Sequence, residues 1–165
     1  YQGWGGIVIY PGEFRVRREE TDETGVVHEY EDELSGEAWP GGPVILSWQD
    51  IRLGGAGYNV VIHEFAHKLH MSRGDMDDFP AAHADMARAQ WLAAWEAAYA
   101  RFCGQVDRGM DTVIDPYASA DPAEFFAVLS EAFFTLPHAV RSTYPELYGQ
   151  LVLFYRQDPA ARLPV

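Results

Sequence analysis

Residues 59–71 read NVVIHEFAHKLHM, and three of them, His63, Glu64 and His67, have the types and spacing to serve one reaction centre. On a helix, positions four apart differ by about 6 Å of rise and about 40° of rotation, so His63 and His67 face the same way and can share one metal ion. Glu64 lies about 100° round from His63. It would sit beside such an ion without ligating it, placed to take a proton from a water that zinc has acidified. The implied chemistry is metal-assisted hydrolysis. The bland explanation is a helix that happens to carry two histidines. Against it, Asn59 can cap the helix, Ile62, Phe65, Ala66 and Leu69 form a packing face, and Gly74 supplies a stop.

A catalytic zinc ion takes three protein ligands and leaves a fourth position for water. His70 lies about 4.5 Å further along the same helix than His67, too far to complete a tetrahedron with the pair. A third histidine six residues after His67 would be another solution, but that position is Arg73. The later segment PAEFFAVLSEAFF offers Glu124 and Glu131, seven residues apart and on one helix face. Glu124 could instead complete a capping box with Asp121, and Glu131 could be solvent-facing or ion-paired. Spacing favours Glu124 only slightly. The Phe pairs at 125–126 and 133–134 imply burial on most sides, so each carboxylate needs a partner. Zinc could serve one, and the second ring N–H of a ligating histidine the other.

These residues need elements to position them. GIVIYPGEFRVR and GPVILSW have the apolar and β-branched character of strands bounded by Gly or Pro, which predicts a β-rich first third. The stretch VILSW is expected to be the edge strand along which an extended peptide pairs. Helices are predicted over 59–71, over 81–102 with an aromatic core stripe of Leu92, Trp95, Tyr99 and Phe102, over 122–136 after the Asp121 cap and Pro122, and over 145–157. Residues 73–80 and 108–122 read as loops. The fold class expected is α+β, with one globular unit over residues 1–165.

At 165 residues, 48% hydrophobic, with nine Phe, nine Tyr and five Trp, the chain can bury one substantial core. A net charge of −13 argues against nucleic acid and anionic membrane surfaces as partners, because both need clustered cations. The acidic excess at residues 13–37 reads as a solvated hairpin or loop. One cysteine, Cys103, excludes an internal disulfide and fits a reducing compartment, so the expected location is the cytoplasm. No run is long enough to span a membrane. The chain begins at Tyr1 rather than Met, as a piece of a longer protein would.

Three stretches, GEAWPGGPVILSW, NVVIHEFAHKLHM and YASADPAEFFAVLSEAFF, closely resemble the catalytic region of the Mlc titration factor A peptidases, zinc metallopeptidases of bacteria. More distantly, HEFxH followed by a Tyr and EFFA is similar to the protease domain of anthrax lethal factor. The resemblance implies a zincin-like fold of gluzincin type with one zinc ion. It implies His63, His67 and Glu124 as ligands, Glu64 as general base, and Tyr117 as a hydroxyl that stabilises the tetrahedral intermediate. It implies hydrolysis of a peptide or protein substrate. The alternative is a zinc-binding regulatory protein that sequesters a transcription repressor. A structural metal would show itself by a fourth protein ligand, His70 or His83. The family usually carries Asp where this chain has His70, and its members are longer at the N-terminus.

Overall fold

The computed structural model describes residues 5–21, 24–71 and 79–163. The N-terminal region is β-rich and helices follow it, an α+β arrangement. Its strands are β1 (Ile7–Tyr10), β2 (Phe14–Thr21), β3 (Val27–Leu34), β4 (Gly36–Ala38) and β5 (Val44–Ser47). Strands β2 and β3 form an antiparallel ribbon running from Phe14↔Leu34 to Thr21↔Val27, so the acidic stretch is a hairpin with largely exposed side chains. The other three strands form a sheet in the order β1-β5-β4, with β1 parallel and β4 antiparallel to β5.

That order overturns one expectation. The VILS strand, β5, is the interior strand of its sheet, paired on both sides, and cannot take up a further chain. Among the described residues, the free edge next to the site belongs to β4, whose residues are in register as Gly36↔Leu46 and Ala38↔Val44. Trp48 also leaves the strand. Ser47 accepts from the Asp50 amide and caps α1 (Trp48–Leu53), a short helix whose apolar lead-in reads as strand.

Helix α2 (Val60–Met71) begins as the Asn59 cap predicts, with Asn59 Oδ1 accepting from the Ile62 amide at 3.0 Å. Gly74, Arg73 and most of the loop expected at 73–80 lie outside the described residues. Helix α3 (Arg88–Val106) starts seven residues later than expected. The segment before it is pinned instead, with Trp91 Nε1 donating to the Pro80 carbonyl at 2.7 Å and His83 Nε2 2.9 Å from the Phe154 carbonyl. Helix α4 (Pro122–Thr135) has the predicted Asp121 cap, which accepts from the amides of Ala123 and Glu124. Pro137 does stop it, but also opens a further helix, α5 (Pro137–Thr143), which leads into α6 (Pro145–Tyr155).

Helix α4 is the centre of the core. Residues Phe125 to Phe133 are all buried, and Phe125 and Phe126 meet Trp95 of α3 edge-on at 5.8 and 5.5 Å. Trp91, Phe102, Phe133 and Leu151 complete this aromatic-rich interior, where each ring pair adds about 0.5–1.5 kcal/mol beyond its area. A smaller apolar cluster, Val44, Leu46 and Val60, seals the sheet onto α2. Helix α2 is therefore fixed between the sheet and α4. Among the described residues no helix is long and apolar enough to cross a membrane.

Candidate metal centre

The start of α2 is clamped by the second half of α4. Glu131, 3% exposed, accepts a short hydrogen bond from the Asn59 amide, and Thr135 Oγ1 accepts from the Gly57 amide at 3.0 Å. Glu131 Oε1 also lies 2.8 Å from His63 Nδ1. A carboxylate at that atom fixes the tautomer, placing the ring proton on Nδ1 and leaving the Nε2 lone pair free to point across the helix face.

That lone pair is not alone. His67 Nε2 lies 3.1 Å from His63 Nε2, and the Glu124 carboxylate stands 3.3 Å from the first and 3.4 Å from the second. The three residues come together as the sequence suggested, and are the one set among the described residues whose donor atoms cluster in the manner of a metal site. The 3.3 Å contact is not aligned as a hydrogen bond, and Glu124 Oε2 is buried without a hydrogen-bond partner. The 3.1 Å between the two ring nitrogens is close to the roughly 3.3 Å edge of a tetrahedron with metal–ligand bonds near 2 Å, and each nitrogen has one of the two Glu124 oxygens within 3.4 Å. Two imidazole nitrogens and a carboxylate thus fit a metal ion.

The electrostatics agree. Burial opposes a charge on His63, but the Glu124 and Glu131 carboxylates against its ring outweigh it and lift its pKa to about 10. Burial likewise pushes Glu124 up, and the His63 and His67 rings against it overcome that rise, bringing its pKa to about 2. Without a metal, a proton on His63 supplies the positive charge that this cluster of carboxylates demands. Glu64, only 6% exposed, has its pKa raised chiefly by burial, with His63 and His67 acting against the rise. A carboxylate with a raised pKa is better matched to accepting and returning a proton near neutral pH.

These groups line a cleft of about 670 Å³. One wall is β4, and the opposite rim carries Tyr117, held on a 3-10 turn (Pro116–Ser119) by the Asp115 cap. Tyr117 is 59% exposed, and its pKa is raised by burial and by the Glu124 carboxylate nearby. Asp32 and Leu34 at the foot of the β2–β3 ribbon also border the cleft.

His70 and His83 stay apart from the donor set. His70 packs edge-on to Phe126 at 6.3 Å, and His83 stacks on Phe154. Gly36 was missed by sequence reasoning. A Cβ there would lie 2.6 Å from Glu64 Cγ and 2.7 Å from its Oε1, so any side chain at this position would displace the carboxylate from where it stands. No local pattern marks it, since the approach depends on how strand and helix pack.

Fold and site together give an α+β protein with a His-His-Glu cluster able to hold a metal ion. The chain belongs to the glucose-regulated metallo-peptidase M90 family, whose pattern it matches over residues 1–156. It is 40% identical over 171 residues to Mlc titration factor A of Yersinia enterocolitica, covering 98% of this chain and 62% of the relative. It is 38% identical over 170 residues to the protein of that name from Pectobacterium atrosepticum, covering 98% and 62%. Against that of Salmonella typhimurium it is 39% identical over 171 residues, covering 99% and 63%. The chain thus spans less than two thirds of the length of these relatives.

Proposed function

We propose that this chain is the catalytic part of a zinc-dependent peptidase of gluzincin type with a zincin-like fold, acting on a peptide or protein substrate. The carrying observation is the Glu124 carboxylate set against both histidine rings, its Oε1 3.4 Å from His67 Nε2 and its buried Oε2, without a hydrogen-bond partner among the described residues, 3.3 Å from His63 Nε2. His63, His67 and Glu124 hold the ion, and Glu131 keeps His63 in the ligating tautomer. A bound zinc ion supplies Lewis acidity toward the scissile carbonyl and lowers the pKa of water at the site. Glu64 takes the proton of the attacking water and returns it to the departing amine. Tyr117 donates its hydroxyl proton in a hydrogen bond to the developing oxyanion. An extended substrate pairs its backbone with the free edge of β4 and is thereby laid across the cleft.

The test is Glu64→Gln. The variant is expected to bind zinc with unchanged stoichiometry and to lose peptide hydrolysis by at least about 10²-fold. Unchanged turnover would remove Glu64 as the base.

The name of the relatives, a titration factor, motivates a second reading in which the chain binds a transcription repressor without cleaving it. Glu64→Gln would then leave repressor binding intact. A cytoplasmic setting belongs to both readings and rests on the single cysteine.

A further inference from the structure

The metal helix also carries a buried cation. Lys68 follows Glu64 by one helical turn, on the same face of α2, and is 4% exposed. Its ammonium donates to the Trp39 carbonyl at 2.6 Å and to the Gly42 carbonyl at 2.9 Å. These carbonyls belong to the turn that joins β4 to β5.

That turn closes without help. The Gly42 amide donates to the Trp39 carbonyl at 3.1 Å, with Pro40 at the second position and Gly41 at φ 65° in the third, the type II pattern. A turn so well specified has no need of a buried ammonium, which is costly to desolvate and tolerated only with strong acceptors. What the ammonium adds is a tie between the end of β4 and α2. At the other end of the strand, Gly36 rests directly on Glu64. One helix face thus grips β4 twice, at Gly36 through contact with Glu64 and at the Trp39–Gly42 turn through Lys68.

We propose that Lys68 is a positioning residue that sets the register and height of the β4 edge relative to Glu64 and the histidine pair. Building on the peptidase reading, this makes Lys68 a determinant of how extended substrates bind, distinct from the groups that carry out hydrolysis. A loosened turn lets β4 lift from α2, so backbone pairing along the strand weakens while the metal cluster, held by α4, stays assembled.

Lys68→Met keeps the aliphatic stem and removes the charge; Lys68→Gln keeps a donor and is expected to fall between it and the parent, carrying the comparison alone if Lys68→Met does not fold. With an octapeptide substrate, KM is expected to rise about tenfold in Lys68→Met while kcat and zinc content stay close to the parent's. A dipeptide anilide, too short to pair along β4, should show little change. Amide exchange over residues 36–42 should speed up with α2 protection retained. An unchanged octapeptide KM, or kcat and zinc content falling together, would overturn the proposal. If the parent chain cleaves no peptide, the peptidase reading fails by itself, and exchange decides the anchoring: unaltered protection of 36–42 overturns it.

Discussion

Glu131 and His63, 68 residues apart in sequence, meet at 2.8 Å between carboxylate and Nδ1, so α4 determines the tautomer of a residue on α2. Glu131 also receives the Asn59 amide at the start of that helix. Glu131→Ala is expected to weaken zinc binding by about 10–100-fold, measured by chelator competition. Glu131→Gln keeps one acceptor oxygen, enough for the His63 ring or the Asn59 amide but not both, and should lose less than Glu131→Ala. Equal affinities in all three proteins would show that the tautomer is fixed by something else.

Gly36→Ala places a methyl group within 2.6 Å of the Glu64 side chain, and the carboxylate, as the movable partner, gives way. Peptidase kcat/KM should fall about tenfold or more from a misplaced base, with zinc content unchanged. Thermal unfolding should register a cost of no more than about 1–3 kcal/mol.

Tyr117→Phe removes the hydroxyl at the cleft rim and leaves the ring. A donor used only as the oxyanion forms gives a kcat lower by roughly 10²-fold with KM little altered. Parent-like kcat would leave Tyr117 as an ordinary loop tyrosine.

The metal-free chain should show a stability window set by two groups moving in opposite directions. His63, lifted from 6.5 to about 10, contributes stability that is fully present below pH 6.5 and disappears as pH climbs through 10. Glu124, lowered from 4.5 to about 2, contributes stability that is present above pH 4.5 and disappears as pH falls toward 2. Melting temperatures of chelated protein should therefore be highest between about pH 4.5 and 6.5 as far as these groups decide. Under the proposed function zinc would take the place of the His63 proton, so its stabilising effect should grow as pH rises from 6 to 9. A zinc effect independent of pH would contradict that exchange.

Much of this arrangement was legible in local sequence because it depends on local rules. Asn59, Asp121, Pro122 and Pro137 mark helix ends through caps and ring constraints that act within a few residues. His63, Glu64 and His67 are brought together by helical pitch alone. Whether Glu124 or Glu131 faces the histidine pair depends on how α4 lies across α2, which helical spacing leaves open; the fold sets Glu124 against both Nε2 atoms and Glu131 behind His63. Strand order is non-local as well. Nothing within VILS reveals that β1 and β4 flank it on both sides, and GEA is too short to announce itself as the free edge. Helix α1 hides for a related reason, its Ser47 cap being embedded in an apolar strand run.

Helix α4 turns Glu124 and Glu131 toward α2 while Phe125, Phe126 and Phe133 pack behind it without solvent access. That interior cannot be repacked independently of where the two carboxylates stand. A substitution at Trp95, which packs on Phe125 and Phe126, would disturb the same rod that carries both carboxylates, so on the peptidase reading tolerance to drift in the aromatic interior is bounded by catalysis as well as by folding.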